Sequence, residues 1–234
     1  MSGRAGSETA HGDLPFVLKV WGDSWSNLAG LLGANLLFLL WCAPSTLARL
    51  IQLDALALAL AVVTVGPALL GLFRYAANLA LDRPACFWRD SWLGFRSGFG
   101  AGVILSGVAI LVLTAHRLAL ALAVASGMTG GAVTLWAAQV AVLALLALTG
   151  AHLVSLIALY HQGTREAFRN ALLLALAHPA PTLGVVAAAI LTLLVSRALG
   201  WGPLVILPAL LAVLAVNTTL LLVHQHPPGG GSSS

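Results

Sequence analysis

Charge is scarce in this sequence: seven Asp or Glu and eleven Lys or Arg make up 8% of 234 residues, against 60% hydrophobic. Soluble domains are about a quarter charged, and so few ionisable groups cannot cover the surface of a water-soluble globule of this length. The shortage excludes a disordered chain and a conventional soluble enzyme, and leaves a polytopic membrane protein with little mass outside the bilayer. Lysine is nearly absent, since ten of the eleven basic residues are arginines. They stand singly, with no basic cluster or interleaved aromatic motif of the kind that binds nucleic acid. Cysteine is rare too: Cys42 and Cys86 are the only two. The topology below sets them at opposite membrane faces, too far apart for a disulfide. There is no HExxH, GxSxG or Walker loop and no pair of intramembrane aspartates. His224-x-His226 lacks an acidic or Cys ligand at metal spacing. No cofactor, metal site or enzymatic activity is therefore expected. The first 24 residues carry Glu8, Asp13 and Asp23 without a long apolar core, which argues against a cleavable signal peptide.

What is present is long apolar runs. About 20 residues cross a bilayer as a helix, and six stretches qualify: 26–43, 55–74, 98–117, 134–160, 183–199 and 203–223. The expected fold is an all-α polytopic bundle of six transmembrane helices with short interfacial helices. Residues 1–24 form a cytoplasmic N-terminal segment, 25–223 the membrane domain, and 224–234 a Gly/Ser-rich flexible tail. Six spans place both termini on one side with the 75–97 and 161–182 connections. That side holds Arg4, Lys19, Arg74, Arg83, Arg89, Arg96, Arg165 and Arg169, and the other only Arg49, Arg117 and Arg197. The imbalance puts the termini in the cytoplasm. Trp21, Trp25, Trp88 and Trp92 then fall at the inner interface, and Trp41, Trp136 and Trp201 at the outer one. The third and fourth apolar segments, 98–125 and 132–160, are longer than a span needs, and the 44–54 loop with Leu47, Leu50, Ile51 and Leu53 is apolar enough to cover their outer ends.

Trp88, Trp92, Phe95 and Phe99 recur at i, i+4, i+7 and i+11, flanked by Arg89 and Arg96. This is a basic amphipathic helix in the cytoplasmic interface, either an anchor with snorkelling arginines or a docking face for anionic lipid head groups or a partner. Gly94-Phe95-Arg96-Ser97-Gly98 is echoed by Ala167-Phe168-Arg169-Asn170-Ala171, so Arg165 and Arg169 belong to a second such helix. Gly98, Gly102 and Ser106 have small-xxx-small spacing, which invites a close helix neighbour, either internal or from a second copy of the chain. Gly66-Pro67 predicts a kink in the second span, with Thr64 near enough to satisfy a freed carbonyl. Asn35, Gln139 and Asn217 are isolated polar residues at membrane depth, whereas Thr149, His152 and Ser155 form one polar strip on the fourth span. Two readings stay open for that strip. It makes interhelical hydrogen bonds, or with Thr64 and Pro67 it lines a translocation path for a small solute.

Two segments carry a family resemblance. Thr64-Val65-Gly66-Pro67-Ala68-Leu69 and Phe87-Trp88-Arg89-Asp90-Ser91-Trp92-Leu93-Gly94-Phe95-Arg96 resemble the YesL family of bacterial multi-pass membrane proteins. Phe168-Arg169-Asn170-Ala171-Leu172 and His178-Pro179 resemble its second cytoplasmic segment. The resemblance implies a bacterial inner-membrane location and an accessory role beside a carbohydrate transporter, and it supplies no catalytic or binding residue. The expected function is a non-enzymatic accessory or scaffolding protein that docks a partner or anionic lipid through Trp88, Arg89, Trp92, Phe95 and Arg96, with Arg165 and Arg169. A permease using the kink and the polar strip is the alternative.

Overall fold

A computed structural model of the chain describes residues 22, 24–127, 130–199 and 202–225. They are helical, with no strand among them, in the order α1 (Leu28–Leu50), α2 (Asp54–Ala80), α3 (Phe87–Ser97), α4 (Phe99–Ala125), α5 (Gly130–Tyr160), α6 (Thr164–Ala177), α7 (Pro179–Leu199), a 3-10 turn η1 (Pro203–Val205) and α8 (Leu207–Gln225). Six of these, α1, α2, α4, α5, α7 and α8, are long and apolar enough to cross a membrane. The chain is a multi-pass membrane protein, and the two short amphipathic helices occupy the expected positions. Alternation of the spans puts α3 and α6 at one end of the bundle, called here the amphipathic end. The α1–α2, α4–α5 and α7–α8 connections lie at the tight-turn end.

The tight turns follow from local backbone chemistry. At the end of α1 the Leu53 amide donates to the Ala48 carbonyl at 2.9 Å and the Gln52 amide to Arg49 at 3.1 Å, with Gln52 left-handed at φ 62°. This paired bonding satisfies the last carbonyls of a helix and reverses the chain in three residues. It recurs after α2, where Arg83 bonds back to Asn78 and Asp82 to Leu79, with Asp82 at φ 51°.

Three expected boundaries are corrected. The 44–54 segment is not a covering loop, because α1 continues through Pro44 to Leu50. The Ser45 and Thr46 hydroxyls both donate to the Cys42 carbonyl, at 2.7 and 3.2 Å, while the carbonyl that Pro44 frees is that of Leu40, one turn earlier. Leu47, Leu50, Ile51 and Leu53 are exposed and cover nothing, and Leu118, Leu120, Leu122 and Val124 of α4 are exposed as well. The fifth span starts at Pro179 rather than 183, with proline at the first helical position where its missing amide costs nothing. The sixth starts at Leu207 rather than 203, because 203–205 form η1. The Asn35 side chain, eight residues into α1, donates to the Leu204 carbonyl at 2.6 Å. Non-helical backbone near a span is tolerated where protein groups satisfy it, and Asn35 does so here.

The core is built on α2, which packs against α1, α3, α4, α5 and α8. Leu72, Phe73 and Ala76 meet Ala212, Val213 and Val216 of α8 and Leu153 and Ile157 of α5 in one buried cluster. Alanine is abundant there because lipid tails are as apolar as leucine, so helices gain by close backbone approach rather than by hiding hydrophobic surface.

Candidate functional site

α3 is a short helix with an open N-terminus. Its N-terminal side is tied by the buried Asp90, whose carboxylate accepts from the Cys86 amide at 2.8 Å and interacts favourably with the positive helix terminus. Its inward face is made of small residues. A Cβ on Gly94 would lie 2.8 Å from Arg74 Cβ and 2.8 Å from Gly71 Cα, and one on Gly71 would lie 2.6 Å from the Ser91 carbonyl oxygen. Only glycine at both positions allows the two backbones to touch. The α3–α4 joint is Gly98, whose added Cβ would meet Leu70. Beyond it, Gly102 faces Gly66 and Pro67, and the Ser106 hydroxyl donates to the Val62 carbonyl of α2 or the Gly102 carbonyl of its own helix. The small-residue stripe Gly98, Gly102, Ser106 is thus occupied within the chain, by α2.

The outward face of α3 only partly matches the expected docking stripe. Phe95 packs tilted against Trp41 of α1 with ring centroids 4.6 Å apart, Trp92 lies 6.3 Å from Trp41 and stacks on Phe95 at 5.9 Å, and Phe99 is 5.9 Å from Phe95. Trp41 was placed at the outer interface by its position after the first apolar run. In the structure its ring belongs to a cluster at the amphipathic end, because a helical tryptophan leans back toward its N-terminus and reaches down to α3. Phe95 therefore closes α3 on α1, while Trp92 touches both rings and stays 48% exposed. Trp88 is 60% exposed, and Arg89 and Arg96 are exposed beside it. Arg89 makes only a 3.3 Å contact to Asp90 and Arg96 has no ion pair among the described residues, so two guanidiniums and an indole project outward together. Arg165 and Arg169 are exposed on α6, a separate helix whose Ala167, Ala171 and Ala175 are buried, chiefly against α5.

The polar strip of α5 is wholly internal. Thr149, His152 and Ser155 have no exposed surface. One nitrogen of His152 lies 2.9 Å from the Thr219 hydroxyl of α8 and the other 3.1 Å from Thr182 of α7. A neutral imidazole has one N–H, which donates to one threonine oxygen; its other nitrogen accepts when the second threonine turns its hydroxyl from the backbone carbonyl it otherwise bonds, His178 for Thr182 or Ala215 for Thr219. Thr149 and Ser155 donate to carbonyls of their own helix, Leu145 and Ala151, at 2.8 Å each. The strip is a three-helix clasp. A cavity of about 510 Å³ runs beside it between α2, α4, α5, α7 and α8, lined by Val65, Leu69, Leu105, Val154, Val185 and other apolar side chains. Gly66 reaches this cavity, but His152, Thr149 and Ser155 do not line it. Thr64 donates to Leu60 at 2.8 Å rather than to the carbonyl freed by Pro67.

At the amphipathic end Arg74 donates to His161 at 2.9 Å beside a small cavity of about 160 Å³. Partial burial, then the charges of Arg74 and Arg83, hold His161 below its ordinary value of 6.5. Sequence reasoning missed Trp41 and Gly71. The signal for Gly94, the partner of Gly71, was available in the continuation of Gly98, Gly102 and Ser106 back by the same spacing of four. Nothing in sequence marked Trp41 as a partner of α3. Arg4, Lys19, Trp21, Trp201, His226 and the 226–234 tail lie outside the described residues. Among the described residues no group of His, Cys, Asp and Glu is placed to hold a metal. No protein-family model matches the chain, and no curated protein or solved structure matches it either.

Proposed function

We propose that the chain is a non-enzymatic accessory or scaffolding protein of the membrane that docks a partner or an anionic lipid surface through α3. The observation that carries this reading is the outward group of Trp88, Arg89 and Arg96 on a helix whose other face is locked by Gly71, Gly94 and Trp41. An exposed aromatic beside one guanidinium without an ion pair among the described residues, Arg96, and one that spends only its Nε on Asp90, Arg89, is the composition of an interface anchor. The link to a carbohydrate importer, the bacterial inner membrane and cytoplasmic termini rests on the YesL resemblance and the arginine distribution. Against the permease alternative stands the internal bonding of His152 to Thr182 and Thr219, which leaves its ring no free polar group to offer a solute. Co-purification from native membranes tests the proposal. Combined Trp88→Ala, Arg89→Gln and Arg96→Gln should lose the co-purifying importer or anionic lipid while the bundle stays folded. Unchanged association in that variant would sink the assignment. Solute flux in proteoliposomes that His152→Ala alters would favour the permease instead.

A further inference from the structure

At the tight-turn end α1 and α4 both pack on α2 and diverge from each other, leaving a wedge of about 640 Å³ between them. Its walls are of two kinds. Ala57, Leu58 and Ala61 of α2, with Ile110 and Leu113 of α4, form an apolar groove. Arg49 at the end of α1, Asp54 at the start of α2 and Arg117 of α4 form its charged rim. Arg49 and Asp54 are ion-paired, while Arg117 has no hydrogen bond or ion pair among the described residues. Two guanidiniums against one carboxylate leave the rim with a single positive charge. Thr46 and Thr114 on the same wall donate their hydroxyl hydrogens to Cys42 and Ile110, at 3.2 and 2.8 Å, so each offers the wedge only oxygen lone pairs.

We propose that this wedge holds one anionic phospholipid of the phosphatidylglycerol class. The single negative phosphate balances the rim, contacting the Arg117 fork and the Arg49 donors that Asp54 leaves free. One acyl chain runs along Ala57, Ala61 and Leu113, parallel to the spans. The head-group alcohols donate to Thr46 and Thr114. A soluble anion satisfies the rim but not the groove, and a zwitterionic lipid adds an ammonium next to Arg49. A net charge of one and a groove open to the hydrocarbon together select the anionic lipid.

Native mass spectrometry of the full-length protein, purified in detergent and titrated with dioleoylphosphatidylglycerol, tests this. Trp88→Ala, Arg89→Gln and Arg96→Gln serve as the background, so that α3 contributes no lipid to the count. One lipid per chain is expected. Arg117→Gln should weaken its retention about tenfold, the loss of one charge-assisted contact. Arg197→Gln, at the same end on α7, should leave it within about twofold by the same conversion. Ala61→Phe fills the groove without touching the rim and should also lower retention, and melting curves exclude a folding failure in each variant. Three outcomes overturn the proposal: equal retention of dioleoylphosphatidylcholine, displacement of the lipid by inorganic phosphate, or retention unaltered by both Arg117→Gln and Ala61→Phe.

Discussion

His152 shows what one side chain does in a bundle with so little polar material. Its two nitrogens hold α7 and α8 to α5, in surroundings where water is not available as a substitute partner. Interhelical hydrogen bonds in membranes are worth about 0.6 kcal/mol on average and at most about 1.7 kcal/mol. A double-mutant cycle of His152→Leu with Thr219→Val, read by detergent-denaturant titration, should give a coupling of about 0.5–1.5 kcal/mol. A coupling of zero would show that the ring only fills space. His161 behaves differently. Because its folded value is depressed below 6.5, protonation favours the unfolded chain: stability is full above 6.5 and falls as pH drops through the folded value. Stability measured from pH 8 to 5 should decline in the parent and stay flatter in His161→Gln. The two histidines also mark the limit of sequence reading. The i, i+3, i+6 spacing identified Thr149, His152 and Ser155 as one strip, but spacing along one helix does not reveal which neighbour offers a hydroxyl. Thr182 and Thr219, on two later spans, were invisible as its partners.

Among the elements, the α2–α4 contact depends most sharply on residue size. Gly66 and Gly102 face each other so closely that a methyl group on either meets backbone atoms of the other helix. Gly107, one turn on, has only Val62 Cγ1 at 3.8 Å, and Gly100 has open space. Gly102→Ala should therefore cost about 1–3 kcal/mol through forced separation of the helices, whereas Gly107→Ala should stay within about 0.5 kcal/mol of the parent. Equal effects at the two positions, measured by thermal or denaturant unfolding in detergent, would contradict this packing. The six spans were legible because each is a long apolar run, and the small-residue spacing signalled a close neighbour. Their ends were less legible. The first span is expected to end before Pro44 because proline breaks helices in water, yet α1 carries Pro44 in its interior and runs on to Leu50. The sixth span is expected from 203 because nothing local announces that Asn35 reaches the backbone of Leu204.

For the whole molecule, the arginine count predicts that the amphipathic end faces the cytoplasm. Cys86 is exposed at that end, just ahead of α3, and supplies a reporter. In a Cys42→Ser background, a membrane-impermeant maleimide should label Cys86 in inside-out vesicles and not in intact cells. Labelling from outside would invert the topology and move the arginine wedge of α1 and α4 to the cytoplasmic leaflet. The membrane class follows from composition, since 60% apolar residues have few other folds open to them, and the span number from how those residues are grouped into runs. Which surfaces remain unoccupied does not follow, because it depends on how α3 spends its aromatics on Trp41 and keeps its arginines outward.

The bond from Asn35 to Leu204 joins residues 169 positions apart. Spans enter the bilayer in chain order, so the first hairpin arrives with a polar amide that has nothing to bind until the last hairpin is made. The first span and the last connection are thereby fastened to each other directly, across the whole order of the chain.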